Sequence, residues 1–171
     1  LFFIADDGNG SEAWKSHGGA LGPGGTEMLE DIDPGTPGTA VPSELTDVNG
    51  TLFFAAGGGT SHGVELWKSA TPYTPGTTNE VENIASAAEP PAADSNPTEL
   101  TNVSGTLFFQ ADDSGVNSNE ELWTSVPPYT AGDTNAVEIN PGGGSTPQGL
   151  VNVGGTLYFR ANGATGGTEL W

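Results

Sequence analysis

Two loops of this chain concentrate oxygen donors. They read ADDGNGSE from Ala5 and ADDSGVNSNEE from Ala111. Carboxylate and amide oxygens are the ligands that Ca²⁺ takes in proteins, so each loop is a candidate calcium site. The spacing is not that of an EF-hand, and Asp and Gly also make good hairpin loops without any metal. The candidate ligands, four in each loop, are Asp6, Asp7, Asn9, Glu12, Asp112, Asp113, Asn117 and Glu120.

Three N-x-Ser/Thr sequons are candidate acceptors of N-linked glycan. They begin at Asn9, Asn49 and Asn102. Such triplets also arise by chance in a chain rich in Ser, Thr and Gly, and Asn49 has a competing role as a turn residue. Tyr73 and Tyr129 occupy equivalent loops, where they either stack on sugars or pack against the edge of a unit.

A glutamate stands two residues before each of four tryptophans. Acid/base catalysis needs one asymmetric pair of groups, whereas these carboxyls recur in every copy and are expected to be structural. No nucleophile elbow, phosphate loop or zinc motif accompanies them, so we expect no enzymatic activity. The chain has no cysteine and therefore no thiolate metal site. The four glutamates are Glu12, Glu65, Glu121 and Glu169.

These residues belong to a repeating unit of about 50 residues. An aromatic strand begins at Leu1, Leu52, Leu107 and Leu157, at spacings of 51, 55 and 50 residues. A tryptophan follows each one, and an internal period of this kind is the signature of a repeat architecture. The predicted core aromatics are Phe2, Phe3, Trp14, Phe53, Phe54, Trp67, Phe108, Phe109, Trp123, Tyr158, Phe159 and Trp171.

Each unit is predicted to hold four short antiparallel strands. In the second copy they are Glu44–Val48, Thr51–Ala56, Glu65–Ser69 and Glu80–Ile84. Asn49-Gly50 supplies the positive φ angles of a two-residue turn between the first two. The second strand, TLFFAA, is apolar on both faces, as in a strand covered by two layers. The chain is therefore predicted to be all-β, with its units arranged as propeller-like blades or as linearly stacked sheets.

Variable Pro/Gly segments separate the units and place the boundaries at 1–35, 36–88, 89–142 and 143–171. The first range holds strands two to four and the last holds strands one to three. The chain starts in the middle of a strand pattern, so we expect it to be a piece of a longer protein. Uncovered sheets at both ends would invite completion by further copies, and such head-to-tail contacts build filaments.

Charge narrows the range of partners. The chain carries 22 acidic residues but only Lys15, Lys68 and Arg160 as cations, which gives a net charge of −19. Phosphate binding needs clustered cations, so nucleic acid is not expected as a partner, and an anionic membrane surface is disfavoured. No apolar run reaches the roughly 20 residues of a membrane helix. The remaining partners are divalent cations, neutral glycans and other copies of the chain.

The motifs resemble a known family of repeats. The segments GTLFF at Gly50–Phe54 and ELWKS at Glu65–Ser69 look like the ELWxxDGT repeats, which occur in tandem in very large secreted or surface proteins of bacteria and archaea. That resemblance covers nearly the whole chain and implies an extracellular array of propeller-like character. The DGT half is absent here, since KSHGG, KSATP and TSVPP follow the first three tryptophans.

The sequence thus supports two hypotheses of function. The first is a structural repeat module of an extracellular fibre, sheath or surface layer, assembled through strand completion between copies. The alternative is a calcium- or glycan-binding adhesin module of a large secreted repeat protein. Both place the chain outside the cell or on its surface, and calcium is the one candidate cofactor.

Overall fold

The protein is all-β, as its sequence predicts. A computed structural model describes residues 1–18, 25–34, 40–58, 62–85, 94–113, 119–165 and 167–171. Within these ranges, fourteen strands form four antiparallel sheets, and in each sheet the strands follow one another in chain order. The described residues contain no α-helix, and therefore no helix that is long and apolar enough to cross a membrane.

The first sheet holds β1 (Phe2–Asp6), β2 (Ser11–Ser16) and β3 (Thr26–Met28). The second holds β4 (Ser43–Val48), β5 (Thr51–Gly58), β6 (His62–Ser69) and β7 (Thr78–Glu82). The third holds β8 (Thr98–Val103), β9 (Thr106–Asp112), β10 (Glu120–Ser125) and β11 (Thr134–Val137). The fourth holds β12 (Gln148–Val153), β13 (Thr156–Gly163) and β14 (Gly167–Leu170). Single 3₁₀ turns at Pro75–Thr77 and Ala131–Asp133 precede β7 and β11.

Tight turns join the first two strands in the second, third and fourth units. Asn49 and Gly50 have φ angles of 53° and 82°, the left-handed values that a two-residue hairpin of this twist requires. The Asp47 carboxylate accepts a hydrogen bond from the Gly50 amide at 2.9 Å. The turn therefore fixes the register in which Val48 lies opposite Thr51.

A bulge near the start of the first strand was not evident from sequence. Glu44 and Glu99 both have φ of 60°, and the strand register shifts across them, between Ser43 and Thr46 in one unit and between Thr98 and Thr101 in the next. Extra residues of this kind bend a strand and increase its twist. The fourth unit shifts register at the equivalent place and carries a glycine there.

The second strand of each unit lies between two layers. Phe53 and Phe54 are both fully buried, yet they belong to two different cores. We define the forward face of a sheet by the positions of Val48, Phe53 and Leu66, which pack on the following sheet. The rear face is defined by the positions of Leu52, Phe54 and Trp67, which pack on the preceding sheet.

Three cores lie in series along the molecule, each between a forward face and the next rear face. The first joins sheets one and two, the second joins sheets two and three, and the third joins sheets three and four. The first strands β4, β8 and β12 are neighbours along one side of the stack. The four sheets do not close into a ring within the described part of the chain.

We expect Phe53→Ala to lower the free energy of unfolding by about 3–5 kcal/mol, because it opens a cavity in a closed core. Tyr158→Ala changes the same position of the fourth unit, where the side chain is 41% exposed, and should cost less than about 1.5 kcal/mol. Urea unfolding of both variants measures the difference. Equal losses would contradict the packing of the second strand between two sheets.

The unit junction as candidate functional site

The first strands of successive units are joined by a ladder of side chains. A threonine hydroxyl on one first strand donates to a leucine carbonyl on the first strand of the next unit. The side-chain amide of an asparagine donates to a backbone carbonyl of the previous unit. Both bonds recur one unit later. The four pairs are Thr46 to Leu100 at 3.3 Å, Thr101 to Leu150 at 3.4 Å, Asn102 to Asp47 at 3.0 Å and Asn152 to Asn102 at 2.8 Å.

In the second and third units, a tyrosine covers the aromatic strand of the unit before it. The ring of Tyr73 meets Phe2 edge-on at 5.1 Å, and the ring of Tyr129 meets Phe53 edge-on at 5.0 Å. This geometry is favoured by the quadrupoles of the two rings. The tyrosine hydroxyls donate to turn carbonyls of their own units, Gly50 at 2.6 Å and Gly105 at 2.8 Å. The tyrosines therefore serve packing between units.

Two of the three cations are used at the same junctions. The Lys15 ammonium donates to the carbonyls of Pro72 at 3.0 Å and Tyr73 at 2.8 Å. One unit later, Lys68 donates to the carbonyls of Pro128 and Tyr129. Burial lowers the pKa of the Lys68 ammonium from its ordinary value. Each lysine holds the tyrosine loop of the next unit over its own sheet.

Buried glutamates connect the third strand to the linker that leads into the next unit. One oxygen of the fully buried Glu65 accepts from the Ser95 hydroxyl at 2.5 Å and from the Ile84 amide at 3.0 Å. The two oxygens of Glu121 accept from the amide and the hydroxyl of Ser145, at 3.1 and 2.6 Å. Because Ser95 and Ser145 lie just before the first strands of the next units, these carboxyls position the unit boundaries.

Burial dominates the electrostatics of these carboxyls. It raises the pKa of Glu65 to about 7, while the bonds from Ser95 and Ile84 oppose the shift and nearby Glu80 adds to it. Burial likewise raises the pKa of Glu121. Uncharged carboxyl groups are favoured in such surroundings, because an ion loses its hydration there.

The first unit departs from this arrangement. Its linker carries Ala40 where the others carry a serine. One oxygen of buried Glu12 has no hydrogen-bond partner among the described residues, and the same holds for one oxygen of Glu65. Burial raises the pKa of Glu12 to about 7, and the charges of Asp31 and Asp7 add to the shift. A small depression beside Glu12 is lined also by Asp7, Asn9 and Asp31.

The structure places three of the four candidate ligands of the first calcium site around one depression. Asp7, Asn9 and Glu12 share the depression with Asp31, which the loop motif alone does not reveal. The carboxylates of Asp6 and Asp7 accept from the amides of Gly8 at 2.7 Å and Asn9 at 2.9 Å, as in ordinary turns. No group of three or more acidic or histidine side chains is arranged to hold a metal within the described ranges. Calcium binding stays a prediction.

The second calcium candidate is described only in part. Asn117 lies outside the described residues. Asp112 and Glu120 are opposite each other in the pairing of β9 with β10, so both belong to the sheet rather than to the loop. Asp113 accepts a hydrogen bond from Asn119 at 2.7 Å.

The three sequon asparagines have different surroundings. Asn9 is exposed in its loop. The amide of Asn49 lies against the next turn, where a Cβ on Gly105 would come within 2.4 Å of it. The amide nitrogen of Asn102 is engaged in the ladder. Asn49 is exposed like Asn9, whereas Asn102 is half-buried. Glycosylation stays a prediction.

Comparison with protein-family models, with curated proteins and with solved structures finds no match to this chain. The resemblance to ELWxxDGT repeats therefore rests on the motifs themselves. The junction, with contacts that recur from one unit to the next, is the candidate functional site.

The buried glutamates make stability depend on pH. The pKa of Glu65 is about 7 in the folded chain against an ordinary 4.5, so the folded state binds the proton more tightly. The resulting stabilisation is complete below pH 4.5 and is lost as the pH rises through 7. The free energy of unfolding should be larger at pH 5 than at pH 8 by about 1–3 kcal/mol.

Glu65→Gln should flatten this pH dependence, because it removes one titrating group and keeps the side-chain shape. Glu169→Gln is the matched control, since Glu169 occupies the same position of the fourth unit and is exposed. Denaturant unfolding across pH 4.5 to 8 measures both. The explanation fails if the profile of Glu65→Gln coincides with that of the unchanged chain.

The ladder also has a measurable strength. Asn102→Ala removes the bond to the Asp47 carbonyl and the bond that its side chain accepts from the Gly105 amide at 3.0 Å. We expect a loss of about 1–2 kcal/mol in the free energy of unfolding. Asn9→Ala, at an exposed loop position, should change it by less than about 0.5 kcal/mol. Equal losses in the free energy of unfolding of the two variants would show that the ladder contributes nothing to stability.

Proposed function

We propose that the chain is a structural repeat module of an extracellular fibre, sheath or surface layer. It assembles by completing its stack of β-sheets with further copies of the same unit. The observation that carries this proposal is the recurrence of one junction. The same threonine, asparagine and tyrosine contacts join units one unit-length apart.

A recurring junction of forward face on rear face is heterologous, because two different surfaces meet in it. Such an interface can be repeated without limit when the rotation between units does not close a ring. In repeat proteins each unit is stabilised by its immediate neighbours, so extension adds the same stabilisation at every step. The open arrangement of the four sheets is compatible with this form of growth.

The composition suits an outer coat. The net charge of −19 and the 27 glycines and 13 prolines favour hydrated loops on the outside of a tightly packed stack. Glu65 and Glu121, whose pKa values are raised, also favour a structural role, because they bind linker groups of their own chain. The proposal therefore assigns these carboxyls to structure and includes no catalytic step.

Self-association of the purified chain tests the proposal. We expect oligomers whose average length rises with concentration, and more so when added salt screens the repulsion between copies. Sedimentation velocity measures the size distribution, and electron microscopy of the same sample shows whether the particles are elongated. A chain that remains monomeric at high concentration, in high salt and at pH 5, would refute the proposal.

A further inference from the structure

A buried carboxyl of the first unit lines a depression that also holds three exposed oxygen-bearing side chains. Glu12 is only 6% exposed, and it shares the depression with Asp7, Asn9 and Asp31. The carboxyl of Glu12 accepts a hydrogen bond from the Ile32 amide, but one of its oxygens has no partner among the described residues. A buried oxygen in this state has lost its hydration without a replacement.

The other units show what is particular to the first. In the third unit, both oxygens of Glu121 accept hydrogen bonds from Ser145. In the second unit, one oxygen of Glu65 also lacks a partner, but Gly58 stands at the loop position that Asp7 occupies in the first. Within the described residues, the first unit therefore combines an unpartnered buried oxygen with a carboxylate in the adjoining loop.

Negative charge accumulates around this depression. Asp7, Glu12 and Asp31 form no ion pair with any residue of the described ranges. The nearby Lys15 is already engaged by Glu27 and by two backbone carbonyls of the second unit. A cation in the depression would reduce the repulsion between the carboxylates and would supply a partner for the buried oxygen.

We propose that this depression binds one Ca²⁺ through Asp7, Asn9, Glu12 and Asp31. Calcium accepts irregular sets of about six to eight oxygens, which backbone carbonyls and water complete. Mg²⁺ demands a nearly ideal octahedron and gives up its water reluctantly, so it fits this loop geometry less well. The inference goes beyond the proposed function and does not depend on it.

The ligands need a small rearrangement to surround an ion. Within the described ranges, the carboxyls are not already gathered as a metal site. Asp7 and Asp31 are exposed side chains outside the strands, so they can turn toward Glu12, which burial holds in place. Because only one ligand is fixed in advance, we expect a dissociation constant of about 0.1–1 mM, the range of extracellular calcium modules.

The ion would connect two segments of the first unit. Asp7 and Asn9 belong to the loop between β1 and β2, whereas Asp31 follows β3 on the way to the linker. In the third unit, Ser145 ties the buried glutamate to the linker, but the first linker carries Ala40 at that position. Calcium would thus replace the missing serine contact at the first junction.

Calcium titration of the chelator-treated chain tests the proposal. In about 0.15 M NaCl, which screens surface charge, isothermal titration calorimetry with CaCl₂ should show one site with the stated affinity. Asp31→Asn and Glu12→Gln should each weaken it at least about tenfold, because each removes a ligand charge. Calcium should also raise the melting temperature of the unchanged chain, and Asp31→Asn should lose that rise.

Glu65→Gln is the matched control, because it makes the same change at the equivalent buried carboxyl of the second unit. Its calcium affinity should equal that of the unchanged chain. Asp31→Asn keeps the side-chain shape at an exposed position, so the test does not depend on a variant with an altered core. Circular dichroism verifies that all three variants are folded.

Three results would overturn the proposal. The first is weak, unsaturated binding that no substitution alters, since the ions would then be loose counterions of a chain with a net charge of −19. The second is an equal loss of affinity with Glu65→Gln and Glu12→Gln, since the effect would not be local to the depression. The third is displacement of calcium by an equal concentration of Mg²⁺. None of them alters the test of self-association, so the proposed function is judged separately.

Discussion

The second strand of every unit carries large apolar side chains on both faces, and this constraint governs the whole molecule. Phe53 and Phe54 point to opposite sides of one sheet, and both are fully buried in separate cores. A single sheet cannot cover both sides of itself, so each unit depends on a neighbour in front and a neighbour behind. The polar contacts between units then act on faces that burial has already brought together.

The few cations and the buried carboxyls of the chain act in contacts between neighbouring units. Lys15 and Lys68 donate to backbone carbonyls of the next unit and form no basic patch. The position of Lys68 is occupied by Thr124 in the third unit, so the lysine contact is an addition to the apolar junction and not its basis. Burying the Glu65 carboxyl costs electrostatic free energy. Its hydrogen bond from Ser95 positions the linker.

Local patterns in the sequence predict the elements well and the contacts between units poorly. The TLFFAA run and the tryptophan that follows it predict a covered strand and its partner, because alternation and apolar content are local signals. The fourth strand was predicted to run to Ile84 but ends at Glu82, since the Ile84 amide donates to the Glu65 carboxyl instead of a neighbouring strand. The Glu65–Ser95 bond joins residues 30 positions apart and has no local signature.

The most direct test of the account is a density map of the assembled chain at side-chain resolution. The account predicts that the fourth sheet of one copy stacks face to face on the first sheet of the next, in the same relation as the second sheet to the third. The apolar side chains of the two sheets would then lie in one core between copies. Copies joined edge to edge through hydrogen bonds between strands, with these side chains still in solvent, would contradict it.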